Sequence, residues 1–404
     1  MPDQTQQPTP KSAKVSILAF AHKANDTRVY EREAKYLLSQ GYDVTMLVRG
    51  EHRFIPLKTE RQNGIVIYEI PARPHSELLK LLRDPFDWLW MLVISFVLFR
   101  KADVYHCHEY QSCLIGILLA KLFKKKVIFD CHEFDSETFG SQVAQFSPRL
   151  KDRAIKVFDS FERWIASKVD AVITVNEKLV DRFERDAEEV VLLPNYPSIA
   201  QGKRFSRPHD SFLNEIGGCS VLAFVGYLSD TRKIKFCVEV LQELVQQNKK
   251  IKMVFIGRAV PTYLKELKDL IKNKNLENNI IFTGHVTLPE VMGYLSVTDI
   301  GVCLLRPEIP LIWIQATKLF QYAAAGLPML LNDTGAHRDF VQEGGGAVLV
   351  PSVGRNEVSS VVMDLLNDPA KMKQMGAANK KLFYSKWNAD IALESIGALY
   401  ERFI

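Results

Sequence analysis

The chain has little cysteine: six in 404 residues, at 107, 113, 131, 219, 237 and 303, with no CxxC pair. That scatter excludes a small disulfide framework and fits a reducing compartment. Long apolar runs are missing too. The longest nearly uncharged one, Trp88 to Phe99, is twelve residues, against roughly 20 for a membrane-spanning helix. The opening MPDQTQQPTPKSAK lacks the apolar core of a secretory signal, so a cytoplasmic protein with a disordered tail over 1–13 is expected. No charge of one sign dominates. Lys+Arg 52 against Asp+Glu 47 leaves +5, too weak a bias to indicate nucleic acid. The first apolar run leads into FAHKAND rather than GxGxxG, and no GxxxxGK[ST] occurs. Nicotinamide, flavin and P-loop chemistry therefore lack their usual signatures.

What is present is an alternating pattern at a length that favours two domains. Apolar, β-branched runs at Val15–Phe20, Asp43–Val48, Ile65–Ile70, Val104–His106, Val127–Asp130 and Ala171–Val175 alternate with segments of helical spacing, among them Val29–Ser39, Trp88–Arg100, Leu114–Phe123 and Leu150–Lys168. Strands alternating with helices imply right-handed crossovers and a parallel sheet covered on both faces. After Pro194–Pro197 the polar stretch QGKRFSRPHDSFLNE reads as a linker. The rhythm then restarts at Ser220–Gly226, Lys252–Gly257, Asn279–Thr283, Ile300–Leu304, Met329–Asn332 and Ala347–Val350. The expected fold is α/β: two Rossmann-like domains over 14–197 and 198–382, with a C-terminal helix (383–404) carrying Trp387 and returning to the first. Ligands of such sheets sit at the carboxyl ends of the strands, here in a cleft between the domains.

The strongest local signal is ATKLFQYAAAGLP, Ala316 to Pro328. Thr317 can cap a helix that stops at Gly326, and Lys318 in its first turn opposes the helix dipole unless an anion sits there. The competing reading is a surface lysine on a buried helix. KLFQYAAAGLPML closely resembles the KLFEYMAAGLPVV segment of bacterial GT-B glycosyltransferases related to family 4. Five further segments agree in order: NDTRVYEREAKYLLSQGYDVTML, ADVYHCHE, VIFDCHEF, LLPNYP and FTGHVTLPEVMGYLSVTDIGV. The resemblance implies a GT-B transferase moving a sugar from a UDP- or GDP-sugar to a glycan or lipid-linked acceptor. It further implies retention of configuration, no metal or other cofactor, a donor site on the second domain and an acceptor site on the first.

Carried over residue by residue, the resemblance places the diphosphate at Thr317, Lys318 and Leu319. At position 321 the chain has Gln321 where the family usually has a ribose-binding glutamate, and eight residues earlier it has Trp313, with Glu308 out of register. Gly226, Arg232 and Lys233 match a phosphate-clamping loop, and Gly257, His285 and Val286 match loops that approach the nucleotide. His132 matches a histidine set against the donor sugar, with Glu133 beside it as a base or sugar ligand. Asp26 and Arg28 face the donor phosphates or acceptor, or else Asp26 is a helix cap and Arg28 an exposed side chain. A zinc set of His106, Cys107, His108, Cys131 and His132 is disfavoured, because strand alternation turns Cys107 away from both neighbours.

Two rivals stay open: a sugar-nucleotide epimerase on the same fold, and a nucleotide-sugar-binding protein without transferase activity, which Gln321 and Trp313 suggest. The segment Leu78–Lys101, followed by KLFKKK, is either an interfacial helix in peripheral contact with a membrane or a helix buried against the sheet.

Overall fold

Runs of β-branched residues too apolar to face water on either side become interior strands of two parallel sheets. The computed structural model describes residues 13–50, 57–71, 77–247, 250–306, 316–350 and 354–404, with the backbone alone for 77–85 and 145. Residues 1–12 of the expected tail, and Glu308 and Trp313, lie outside these. The chain divides into two compact units, the first ending at Asn195 and regaining Ala392–Ile404, the second Tyr196–Ile391.

The first unit holds β1 (Lys14–Ala19), β2 (Asp43–Arg49), β3 (Lys58–Gln62), β4 (Ile65–Ile70), β5 (Val104–His108), β6 (Lys126–Cys131), β7 (Ala171–Thr174) and β8 (Val190–Leu192), ordered β3-β4-β2-β1-β5-β6-β7-β8. All neighbours are parallel except the β3–β4 hairpin. That hairpin turns on Asn63-Gly64, both with positive φ, as a tight two-residue turn requires. Its outer strand, KTERQ, is polar and leaves no apolar trace in the sequence. Strand β5 runs two residues past the expected end, through His108, because His106 and His108 share a buried face while Cys107 packs into the opposite core.

The second unit holds β9 (Ser220–Val225), β10 (Ile251–Ile256), β11 (Ile280–Gly284), β12 (Ile300–Cys303), β13 (Met329–Asn332) and β14 (Ala347–Val350), all parallel, ordered β11-β10-β9-β12-β13-β14. Each sheet reverses its strand order once, between β1 and β5 and between β9 and β12. A ligand crevice opens at such a reversal.

Three expectations need correction. The stretch read as a linker carries helices Ile199–Lys203 and Asp210–Ile216, the first started by a Ser198–Gln201 capping box and the second burying Phe212 and Ile216 in the second unit. The C-terminal segment is two helices, Pro369–Ser385 and Ala389–Phe403. Between them Trp387 stacks on Phe340 at 4.5 Å in the second unit, and Tyr400 further on bonds His106 Nδ1 in the first at 2.9 Å. The helix around Trp88 is longer than expected, Glu77–Leu98, and is not buried all round: Met91, Ile94 and Ser95 face the core while Phe86, Leu89, Trp90 and Val97 are exposed.

Helix Thr317–Ala325 is locked against the second reversal point by Tyr322. Its hydroxyl accepts from Val225 N at 3.0 Å and donates to the Val302 carbonyl at 3.0 Å, joining β9 to β12 through groups the short ladder leaves free. The ring lies where any side chain on Gly301 would sit. Tyr322→Phe strands a buried donor and acceptor, so urea unfolding should show a loss of about 1–3 kcal/mol. An unchanged midpoint would remove Tyr322 as the clamp.

Candidate functional site

In the second unit the carboxyl ends of β9, β10 and β11 each meet a glycine with positive φ: Gly226, Gly257 and Gly284. A Cβ on Gly257 would overlap the Gly226 carbonyl, so this approach of two backbones admits no side chain. The loops line an open pocket of about 270 Å³, with Gly226, Tyr227, Gly257, Arg258, His285 and Val286 among its walls. His285 is exposed at its rim and Val286 half-buried.

At the pocket's Gly226 wall two cations converge. A Cβ on Gly226 would lie 2.8 Å from Arg232 Nη1 and 3.5 Å from Lys318 Nζ. Lys318 is 6% exposed, its Nζ sits 3.6 Å from the centre of the Phe224 ring, and it has no hydrogen-bond partner. Neither cation forms a salt bridge among the described residues. Burial, with Arg232 adding like-charge repulsion, brings the Lys318 pKa down to about 8. A buried ammonium without a counter-charge is costly, and an anion completes this arrangement. Lys233 does not join the pair: it starts the next helix in a left-handed conformation, and its Nζ lies 5.2 Å from the Phe236 ring.

The helix carrying Lys318 begins one residue before the expected start. Ala316 is its cap, Thr317 is its first, exposed residue, and no side chain caps it. Leu319 is core, and its amide donates back to the Ala316 carbonyl. Gln321 is half-buried, one turn further on. An uncapped N-terminus with its positive dipole end joins the two cations in favouring an anion.

In the first unit Asp26 caps the following turn, accepting from Arg28 N and Val29 N at 2.8 and 3.0 Å. The turn is π-helical over Val29–Ala34. Arg28, expected to be exposed or ligand-facing, is buried and saturated. Its Nη2 bonds both oxygens of Asp130 at 2.8 and 3.0 Å, its Nη1 the Leu193 carbonyl and Asn195 Oδ1, and its Nε lies 3.1 Å from His132 Nε2 and 3.0 Å from Glu33 Oε1. No N–H is left for a phosphate. Burial opposes ionisation of Asp130, but the Arg28 guanidinium holds its carboxyl well below the usual range. Burial, reinforced by Asp130, pushes Glu33 well up, towards the neutral acid.

This network assigns the His132 tautomer. Arginine only donates, so His132 Nε2 is an acceptor and the ring proton is on Nδ1. His108 Nδ1, 2.9 Å from the same Nε2, is then a donor as well. Burial lowers the pKa of both rings, so His132 is a neutral imidazole that offers a proton from Nδ1. Glu133, the next residue, is exposed.

Glu33, which sequence reasoning missed, lies at this point together with His106 and His108, which it weighed as part of a zinc set. Glu33, His106, His108 and Asp130 are fully buried, with 3.5–3.6 Å between the imidazole nitrogens and carboxylate oxygens. Two imidazoles and two carboxylates are donor types that suit a transition metal. Arg28, resting on the same carboxylates, already brings a counter-charge, so the cluster holds together as an ion-pair network. Beside it His22 bridges Asp26 (2.9 Å) and Glu109 (2.6 Å). Glu109 takes a left-handed φ of 60°, a strained position of the kind that gathers at functional sites. The alternation of His106 and His108 is the signal that pointed here.

Fold and site together define a two-unit α/β protein with Arg232 and Lys318 gathered beside Gly226 at the second sheet's reversal point. Residues 27–196 match the Glycosyl transferase 4-like domain and 219–368 match Glycosyl transferases group 1. The chain belongs to the GT-B glycosyltransferases of this group 1 type. It is 23% identical over 382 residues to D-inositol 3-phosphate glycosyltransferase of Kineococcus radiotolerans, covering 88% of this chain and 85% of that protein. It is 22% identical over 205 residues to spore coat protein SA of Bacillus subtilis, a match that spans 48% of this chain and about half (53%) of that relative. The fold is shared with Anabaena Alr3699/HepE, solved in complex with UDP-glucose (TM-score 0.69, 13% identity, 96% and 99% of the two chains).

The His22 bridge makes stability depend on pH. Burial works against the charge, but Asp26 and Glu109 raise the imidazole from 6.5 to about 10, while Asp26 is lowered from 3.8 to about 2. A raised pKa stabilises fully below the unfolded value and is lost as pH climbs through the folded one; Asp26 contributes above 3.8 and is lost towards 2. His22→Gln should therefore cost on the order of 2 kcal/mol at pH 6 and distinctly less at pH 10.5, read from urea midpoints. A cost independent of pH would contradict the bridge.

Proposed function

We propose that the protein transfers a sugar from a UDP- or GDP-sugar to a glycan or lipid-linked acceptor, with retention and without a metal. The observation that carries this reading is Lys318: a buried, unpartnered ammonium beside Arg232, at an uncapped helix N-terminus, where the sheet order reverses. A diphosphate fits that place, and the adjoining pocket between the glycine loops takes the nucleoside. The complex of Alr3699/HepE with UDP-glucose supports a sugar nucleotide as the ligand.

As the glycosidic bond breaks, charge grows on the departing phosphate oxygen. Lys318, Arg232 and the helix dipole stabilise that charge more than the ground state, which is the differential binding that lowers a barrier. These fixed cations fill the electrostatic role a metal would have. His132, held neutral by Arg28 and His108, donates from Nδ1 to a sugar hydroxyl, and exposed Glu133 is the group available to take the acceptor's proton. The enzyme works in the cytoplasm, in peripheral contact with a membrane when its acceptor is a lipid.

A second reading rests on Gln321, a neutral amide where a carboxylate would bind ribose: a protein that binds the nucleotide sugar without transferring it. Gln321→Glu separates the two, since transfer appearing only in the variant would establish the binding protein.

Lys318→Ala and Arg232→Ala should each weaken UDP or GDP binding at least tenfold, on the order of 2 kcal/mol or more for Lys318, by calorimetry with EDTA present. Release of nucleotide from the donor should fall in parallel, and NMR of the product should show the donor's anomeric configuration. Undiminished affinity in Lys318→Ala would overturn the donor site.

A further inference from the structure

Helix Glu77–Leu98 turns an apolar stripe outward. Phe86, Leu89, Trp90, Val93, Phe96 and Val97 recur at the three- and four-residue spacing of one helix face, and all are exposed, Phe86 by 67% and Val97 by 61%. The stripe continues onto helix Glu109–Phe123, where Phe123 meets Phe96 at 5.7 Å and the neighbouring Leu118 and Leu122 are open to solvent. Large side chains on adjacent helices leave an apolar face of a kind that folded domains seldom present to water without a partner.

Charge identifies the partner. At the C-terminal ends of the two helices stand Arg100, Lys101, Lys121 and Lys124, all exposed and none in a salt bridge among the described residues. Between 86 and 101 the only acid is Asp87, which is buried and paired with Arg49 at 3.0 Å. Between 118 and 126 there is no acid at all. The face therefore combines exposed apolar side chains with unbalanced positive charge. A second copy of the chain would bring the same cations and no acids to it. A surface of anionic headgroups above acyl chains matches both halves. No helix among the described residues is long and apolar enough to cross a membrane, so the contact lies in the interfacial plane.

We propose that this two-helix face docks the protein on an anionic lipid bilayer, with Trp90, Phe96 and their neighbours entering the headgroup–acyl boundary and the four cations holding the headgroups. The inference deepens the lipid-linked form of the function proposed above and rests on it for its purpose, while the docking itself needs no sugar donor.

The test is sedimentation of the full-length protein with sucrose-loaded vesicles of phosphatidylcholine alone or with 30% phosphatidylglycerol, alongside tryptophan emission. Wild type should partition at least tenfold more strongly onto the anionic vesicles, with a blue-shifted emission. Leu89→Ser/Val93→Ser/Val97→Ser should lose at least tenfold of that partition. Arg100→Gln/Lys101→Gln/Lys121→Gln/Lys124→Gln should lose the preference for phosphatidylglycerol and, with it, most of the binding that wild type shows at low salt. Because every substituted side chain is exposed, both variants should keep the wild-type melting temperature and the melting shift caused by UDP or GDP.

Equal vesicle binding by wild type and the serine variant, no binding by wild type, or a concentration-dependent dimer abolished by the serine changes would each overturn the docking surface. The nucleotide shift reports separately on the transferase reading. Its loss in wild type, with vesicle binding intact, would sink that reading and leave the surface standing.

Discussion

A charge taken out of water must find a partner or give up its proton, and the two halves of this chain meet that constraint in opposite ways. In the first unit the buried charge of Arg28 is answered among the described residues. Arg28 is surrounded by Asp130, Glu33, Asn195 and the Leu193 carbonyl, and the network extends through His106 to Tyr400 near the end of the chain. In the second, Lys318 is buried and unanswered. On the function proposed above, the contrast makes the first cluster a structural support and Lys318 one half of an ion pair whose other half is a ligand.

The Arg28 network does more than hold the fold. It ties the π-helical turn, the end of β6 and the Leu193–Asn195 segment to one guanidinium. In doing so it fixes which nitrogen of His132 carries the proton. The chemistry open to His132 is donation from Nδ1, and that limit is set by a residue 104 positions away.

Much of this was legible in the sequence. The alternation of apolar runs gave both sheets, because strands buried on two faces must be continuously hydrophobic. The Lys318 segment stood out because a lysine in a first helical turn opposes the dipole. Other features carried no such signal. Strand β3 is polar, and its turn, Asn63-Gly64, is a two-residue cue that is easily passed over. Glu33 joins Arg28 through a π-helical turn, whose period differs from the 3.6 residues used to read amphipathic helices. Arg232 and Lys233 are adjacent cations that only backbone geometry separates: one points at Gly226, the other caps a helix. The exposed stripe on Glu77–Leu98 was ambiguous because an all-apolar run looks the same whether one face or both are covered.

The central claim is that Lys318 waits, partly deprotonated, for a diphosphate. It is tested most directly by calorimetry of UDP or GDP binding at pH 8 in buffers of different ionisation enthalpy. With a free pKa of about 8, the lysine is about half protonated and should complete its charge when the anion arrives. The account predicts uptake of roughly half a proton per nucleotide bound, absent in Lys318→Met and diminishing as the pH is lowered. Binding with no proton uptake, or uptake that survives the substitution, would contradict it.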